Sequence, residues 1–269
     1  MTPVRDAEQP RMQTSIGYST SDEIWVQGYQ LADELMGNVD LGGMFFLLIS
    51  GRLPNQSESC LFNAILVALA DHGLTPTALA ARLTYTGAPE ALQGAVAAGI
   101  LGAGSVFLGV LEDVGRMLSA AGPDDTSNGA ELDRLAAEVI AEQRARSGRI
   151  PGLGHPVHKA GDPRTARLLE LAREHNLLGP HTRLMLRVQE QAARSNQALP
   201  LNAAGASGAL LCDLRIDPRV VRGVAVVARA AGVVGHLAEE VRAPMGGRLW
   251  RMAERDTDYV SPRVVTEPS

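Results

Sequence analysis

Residues 94–102 read Gly-Ala-Val-Ala-Ala-Gly-Ile-Leu-Gly, and a run of side chains this small leaves little choice of architecture. It suits a helix whose backbone lies close against a neighbour. The rest of the chain is built alike. Only 4% of its 269 residues are aromatic although 45% are hydrophobic, so the core must be mostly Ala, Val and Leu. No segment alternates apolar and polar positions for any length, and an all-α fold follows as the expectation. A chain of this size can bury the core of one large domain, or of a large and a small one.

Local signals place the helices. Thr20-x-x-Glu23 reads as a capping box, with Trp25, Tyr29, Ala32 and Met36 on one helical stripe behind it. Leu41–Ile49 is almost wholly apolar, which predicts a buried helix closed by Gly51 and Pro54. Asn55-x-x-Glu58 is a second box ahead of Phe62, Ile65, Leu66 and Leu69, and that helix ends at Asp71-His72-Gly73. Further starts are expected at Thr75-Pro76, at Pro89 and at Ser105. Gly122–Gly129 is a linker, and helices follow at about 130–146, 163–175, 181–196, 201–214 and 218–241. From Met245 onward no period is evident.

Composition excludes several classes of partner. The net charge is −5 with no basic block, so neither nucleic acid nor an anionic membrane surface is expected. The two cysteines, Cys60 and Cys212, make neither a disulfide framework nor a zinc pattern. Residues 1–11 are polar rather than a secretory signal, and the longest apolar stretch, Met44–Ile49, is too short to span a bilayer. The expectation is a cytoplasmic protein.

Three places carry possible chemistry. In residues 152–164, Gly-Leu-Gly-His-Pro-Val-His-Lys-Ala-Gly-Asp-Pro-Arg, a histidine sits on a bent backbone just before Asp162-Pro163 opens a helix. His155 with Lys159 and Arg164 suits proton transfer on an anionic substrate; an interhelical turn with a polar surface is the alternative. His158 supplies a second imidazole, but no third ligand has metal spacing, so no metal is expected. His72 stands at a helix C-terminus, where the dipole favours a cation whether or not a ligand is involved. Arg229 interrupts the apolar run Val224–Val234 and needs an anionic partner, either a side chain or a ligand.

The 152–164 turn resembles the Gly-x-Gly-His-Arg-Val-Tyr-Lys-x-x-Asp-Pro-Arg motif of the citrate synthase superfamily. Gly51-Arg-Leu-Pro54, Ala70-Asp-His-Gly73, Ala95–Ile100, Asn202–Leu211 and Val227–His236 are similar to further segments of that family, in its order. Within it the chain resembles the short citryl-CoA lyase-like members, including the citryl-CoA lyase module of ATP-citrate lyase. The resemblance implies an all-helical fold with a large domain (1–110 and 213–269) and a small one (111–212), assembled as a homodimer or higher even-numbered oligomer.

It also implies roles. His155 matches the catalytic histidine that handles the proton on the substrate oxygen, while His72, Arg164 and Arg229 match groups that hold carboxylates. Lys159 falls where a basic contact to coenzyme A is common, and a coenzyme A thioester would be a substrate rather than a resident cofactor. Paired arginines suit bidentate carboxylate recognition. Three departures stand out: Pro156 follows His155 where arginine is usual, Leu108 stands where citrate synthases have a second histidine, and Ala204 replaces the catalytic aspartate. Two readings follow. One is a citryl-CoA lyase-like enzyme that cleaves or forms the bond between an acetyl-CoA unit and a keto acid such as oxaloacetate. The other is a relative that binds CoA esters or polycarboxylates as a sensor or partner.

Overall fold

The structure, a computed structural model, describes residues 12–106, 108–154, 161–194 and 199–262. It divides into two compact units, residues 1–63 and 64–269. It is helical as expected, with one exception near the start.

In the first unit the expected helix over residues 20–36 is absent. Residues 17–30 instead form a three-stranded antiparallel sheet of β1 (Gly17–Ser19), β2 (Ile24–Val26) and β3 (Tyr29–Gln30). Thr20 Oγ1 does accept the Glu23 amide at 3.0 Å, but this interaction closes the β1–β2 turn rather than a helix. Gln27 and Gly28, at φ of 50° and 84°, reverse the chain between β2 and β3. Tyr18 and Trp25 pair across the strands and stack with ring centroids 6.4 Å apart. Cross-strand aromatic contact thus outweighs a helical stripe too short to bury itself.

One π-helical turn, Leu31–Leu35, leads to α1 (Leu41–Ser50), which Asp40 caps through the Gly43 amide and Gly51 ends in the left-handed region. Only one face of α1 is buried: Phe46 and Leu47 are inside, whereas Leu41 is 80% exposed. Phe46 meets Phe62 edge to face at 5.2 Å, on the first turns of α2 (Gln56–Ala70). The Asn55–Glu58 box forms as expected, each side chain accepting the other's amide at 2.9 Å.

The second unit continues with α3 (Pro76–Gly87), α4 (Leu92–Leu101), α5 (Gly109–Ala121), α6 (Gly129–Ser147), α7 (Pro163–Glu174), α8 (Pro180–Arg194), α9 (Ala203–Asp213), α10 (Val221–Arg242) and α11 (Gly246–Arg255). Two of the expected starts move: α4 begins after Pro89 and α5 after Ser105, neither with a side-chain cap. The small-residue helix makes its close approach within the chain, for a Cβ on Gly99 would lie 2.9 Å from the Thr77 carbonyl. The missed helix α11 has its cap in another helix. Glu240 of α10 accepts the amides of Met245 and Gly246 at 2.8 and 2.7 Å.

Two buried clusters stand among the described residues of this unit. One joins α5, α6, α8 and α9 through Val114, Leu118, Leu135, Leu184, Val188 and Ala206. The other joins α3, α4 and α10 through Ala81, Ala95, Val233 and Leu237. Among the described residues α10 alone is long and apolar enough to cross a membrane by length and composition. It also carries Arg229 and Glu240, both buried, and packs on α3 and α4.

Candidate functional site

The last turn of α2 gathers the polar side chains. A helix ends with carbonyls that lack partners and with the negative pole of its dipole. Arg164, from the first turn of α7, donates Nη1 to the Ala68 carbonyl at 3.3 Å. Arg229, on α10, donates Nε and Nη2 to the next carbonyl, Leu69, at 3.2 and 3.1 Å. Helix α10 can come this near because of Gly232, where a Cβ would lie 2.0 Å from the Ala70 carbonyl. Arg229, Gly232 and His236 fall at i, i+3 and i+7, one face of α10 turned to the end of α2.

Arg229 therefore finds a partner that was not foreseen. Among the described residues its partner is the end of a helix rather than a carboxylate side chain, which leaves a ligand as the other expected anion. Among the described residues no carboxylate oxygen lies within the 4.0 Å of an ion pair with it. Burial pushes its guanidinium down from the ordinary arginine value; the charge of Asp71 opposes this, and that of Arg164 adds to it. A buried cation partly compensated in this way gains from an incoming carboxylate.

A second set of contacts brings α7, α9 and residues 152–154 together. Asp162 caps α7 through the Arg164 amide and grips the same arginine's Nε and Nη2 at 3.0 and 2.8 Å. Its Oδ2 also accepts the buried Ala203 amide at 3.1 Å, at the first turn of α9. Burial alone would raise the Asp162 carboxyl, but Arg164 and the two amides hold it down at about 2. Asn202 caps α9 and donates Nδ2 to the Gly154 carbonyl at 2.7 Å. Gly152, at φ 84°, leaves no space for a side chain, since a Cβ there would sit 2.7 Å from the Gly205 Cα. Gly152 is thus seated on α9 backbone to backbone.

The site residues expected from sequence divide into two groups. His72, Arg164 and Arg229 collect at the end of α2, with His72 exposed in the loop that leaves it. His155, His158 and Lys159, with Pro156, lie outside the described residues. Ala204 occupies the first turn of α9, beside the amide that Asp162 binds, and Leu108 is buried just ahead of α5. Sequence reasoning passed over Asp71 and His236, which meet at 2.8 Å, and took Asp162 only as a helix cap. Their signal was faint: each belongs to a segment quoted for its resemblance, yet the pairing spans 165 residues of chain. Among the described residues no group of His, Cys, Asp and Glu could hold a metal ion.

Comparison with known proteins shows the family of the chain. The profile described as the citrate synthase C-terminal domain matches residues 57–253. The chain belongs to the citrate synthase family. A citryl-CoA lyase from Hydrogenobacter thermophilus is 32% identical and superposes with a TM-score of 0.82 over 96% of this chain and 97% of that one. Citrate synthase 2 of Bacillus subtilis is 28% identical over 200 residues, 73% of this chain and 51% of that protein. ATP citrate lyase from Methanothrix soehngenii, in complex with citrate and coenzyme A, shares 23% identity with a TM-score of 0.75, covering 96% of this chain and 43% of that one, which is a likeness of fold. This member of the family spans between 23% and 51% of the length of curated relatives such as these.

Proposed function

We propose that this citrate synthase-family protein is a citryl-CoA lyase-type enzyme that cleaves, or in reverse forms, the bond between an acetyl-CoA unit and a keto acid such as oxaloacetate. The observation that carries the reading is the convergence of Arg164 and Arg229 on adjacent carbonyls at the end of α2, the nearer three residues before His72. Three cationic or polar groups around a polycarboxylate are what such a substrate requires. The 32% identity to a citryl-CoA lyase along the whole chain supports the same class. A coenzyme A thioester is then a substrate, with Lys159 as its basic contact.

In the cleavage direction the citryl hydroxyl loses its proton as the carbon–carbon bond breaks, and the departing acetyl-CoA enolate gains one at carbon. His155 is assigned the first transfer. The second lacks its usual agent, because Ala204 stands where the family has aspartate. The carboxylate nearest by contact is Asp162, through the Ala203 amide. It is a poor substitute: an acid held at about 2 and gripped by Arg164 is far from the pKa that proton transfer near neutrality favours. A second reading follows from this: a relative that binds CoA esters or polycarboxylates with little turnover.

Incubation with citryl-CoA, and separately with acetyl-CoA plus oxaloacetate, followed by mass spectrometry in both directions, tests the two readings. General acid–base help is worth roughly 10²–10⁴-fold, so Ala204→Asp is expected to accelerate the native rate. A fast native enzyme that Ala204→Asp slows would mean that Ala204 serves other chemistry. If both forms are inactive while CoA esters bind, the binding reading stands.

Two further properties belong to this reading. The separate buried clusters support a small domain at 111–212 that packs within itself. Exposed apolar side chains, among them Leu41, Leu101 and Trp250, support a homodimer or higher even-numbered oligomer. Light scattering at micromolar concentration decides the latter, and a monomer rejects it.

A further inference from the structure

The loop that carries His72 is held from below by a chain of charged and polar groups that reaches from α2 to α11. Asp71 Oδ2 accepts the Gly73 amide at 2.9 Å, and the same carboxylate is bonded by the His72 amide. Asp71 Oδ1 lies 2.8 Å from His236 Nε2. The other ring nitrogen, Nδ1, lies 3.0 Å from Arg82 Nη2. Arg82 is fully buried and is held in turn by Glu240 Oε2 at 2.7 Å and by Glu239.

Elementary hydrogen-bond chemistry assigns every proton in this chain. A guanidinium has donors only, so Nδ1 of His236 must accept from Arg82. With Nδ1 committed as an acceptor, the ring is neutral and carries its proton on Nε2, where it donates to Asp71. Protonating the ring would set an N–H against the Arg82 N–H. The tautomer is therefore imposed by a residue buried at the far side of the imidazole. The carboxylate is also held low: burial would raise it, but the Gly73 amide, His236 and the His72 amide together outweigh burial.

We propose that His236 is a positioning residue for His72, locked by Arg82 in the Nε2–H tautomer so that the Asp71 carboxylate stays turned onto the backbone amides of His72 and Gly73. His236 touches no substrate in this scheme. It fixes the rotamer of Asp71, and Asp71 fixes the main chain from which the His72 imidazole projects. The same arrangement keeps a full negative charge at Asp71, which acts on Arg229. The groups that bear on the ring are Asp71 from the loop after α2, Arg82 from α3, and Glu239 and Glu240 from α10, the last two through Arg82. The proposal rests on His72 as a substrate-holding group.

The test uses the full-length protein and two variants. His236→Phe keeps a ring of similar size and removes both hydrogen bonds; His236→Gln keeps one donor and one acceptor. Long-range ¹H–¹⁵N spectra of the native protein at pH 7 are expected to report an acceptor Nδ1 and a protonated Nε2 on His236. The amide resonances of His72 and Gly73 should move in His236→Phe and largely return in His236→Gln. Citrate, the probe for the carboxylate site, should bind about tenfold more weakly to His236→Phe, and citryl-CoA cleavage should fall by about ten- to a hundredfold, with recovery in His236→Gln. An Nδ1–H tautomer or an imidazolium ring in the native protein would overturn the proposal. So would a folded His236→Phe protein whose His72 and Gly73 amides and citrate affinity match the native ones. Failure of the native protein to bind citrate or cleave citryl-CoA would reject the proposed function instead, and the two amide signals would still decide the role of His236.

Discussion

Two buried arginines, both within reach of α10, show how differently a fold can treat the same side chain. Arg82 is 0% exposed and is surrounded by compensation: Glu240, also buried, Glu239 and the Nδ1 of His236. Arg229 is 8% exposed and, among the described residues, meets one backbone carbonyl at close range; burial first, and the charge of Arg164 after it, push its pKa down. Neutralised charge of the first kind is architecture, since Glu240 also caps α11. Under-compensated charge of the second kind costs stability and is worth keeping where an anion arrives. The contrast separates scaffold from site without reference to any ligand.

Four measurements can break or sharpen this contrast. The largest effect belongs to Arg82→Met, which strands the Glu240 carboxylate in the interior and should cost about 3–5 kcal/mol of stability by urea denaturation. An unchanged unfolding midpoint would remove Arg82 from the scaffold. Next comes Arg229→Ala, expected to weaken citrate binding by about 2–4 kcal/mol in calorimetry while costing less stability than Arg82→Met. If the order of the two stability losses is reversed, Arg229 is the structural residue and the site reading fails.

A smaller effect concerns Asp162, the tie between Arg164 and α9. Its folded-state value, about 2, lies below the ordinary 3.8, so its contribution is complete above the ordinary value and is lost as pH falls toward 2. That contribution is about 2 kcal/mol, so the gap in unfolding free energy between native protein and Asp162→Asn should be wide at pH 6 and nearly closed at pH 2. A gap that does not change with pH would mean that the carboxylate's charge is not what binds Arg164. The smallest effect is expected of Arg164→Ala. This arginine spends Nε and Nη2 on Asp162, so citrate affinity should fall by only about 1 kcal/mol. A loss equal to that of Arg229→Ala would mean that Asp162 does not divert Arg164 from the ligand.

Much of this was open to reading from the chain alone, and the failures share one cause. The Asn55–Glu58 box, the Asp162-Pro163 start and the Gly51 stop were legible because each cap lies within a few residues of what it caps. Thr20–Glu23 has the same local signature, and its hydrogen bond forms, but Trp25 stacks on Tyr18 across a strand and the segment becomes a sheet. Helix α11 was invisible because Glu240, which caps it, belongs to the preceding helix.

The site divides along the same line. The residues proposed to hold carboxylates, His72, Arg164 and Arg229, were legible in the sequence, because a cation in an apolar run or at a helix end announces an electrostatic need. Which partner meets that need was decided only by tertiary structure. A guanidinium donates to a carbonyl, a carboxylate or a ligand oxygen with equal chemistry, and the choice depends on what the fold carries to within about 3 Å. Gly232 let α10 reach the end of α2, so Arg229 met Leu69. Arg82 and His236, 154 residues apart, met behind the loop of His72 for the same reason. Hydrogen bonds act over a few ångströms in space, and spacing along a chain carries no measure of that distance.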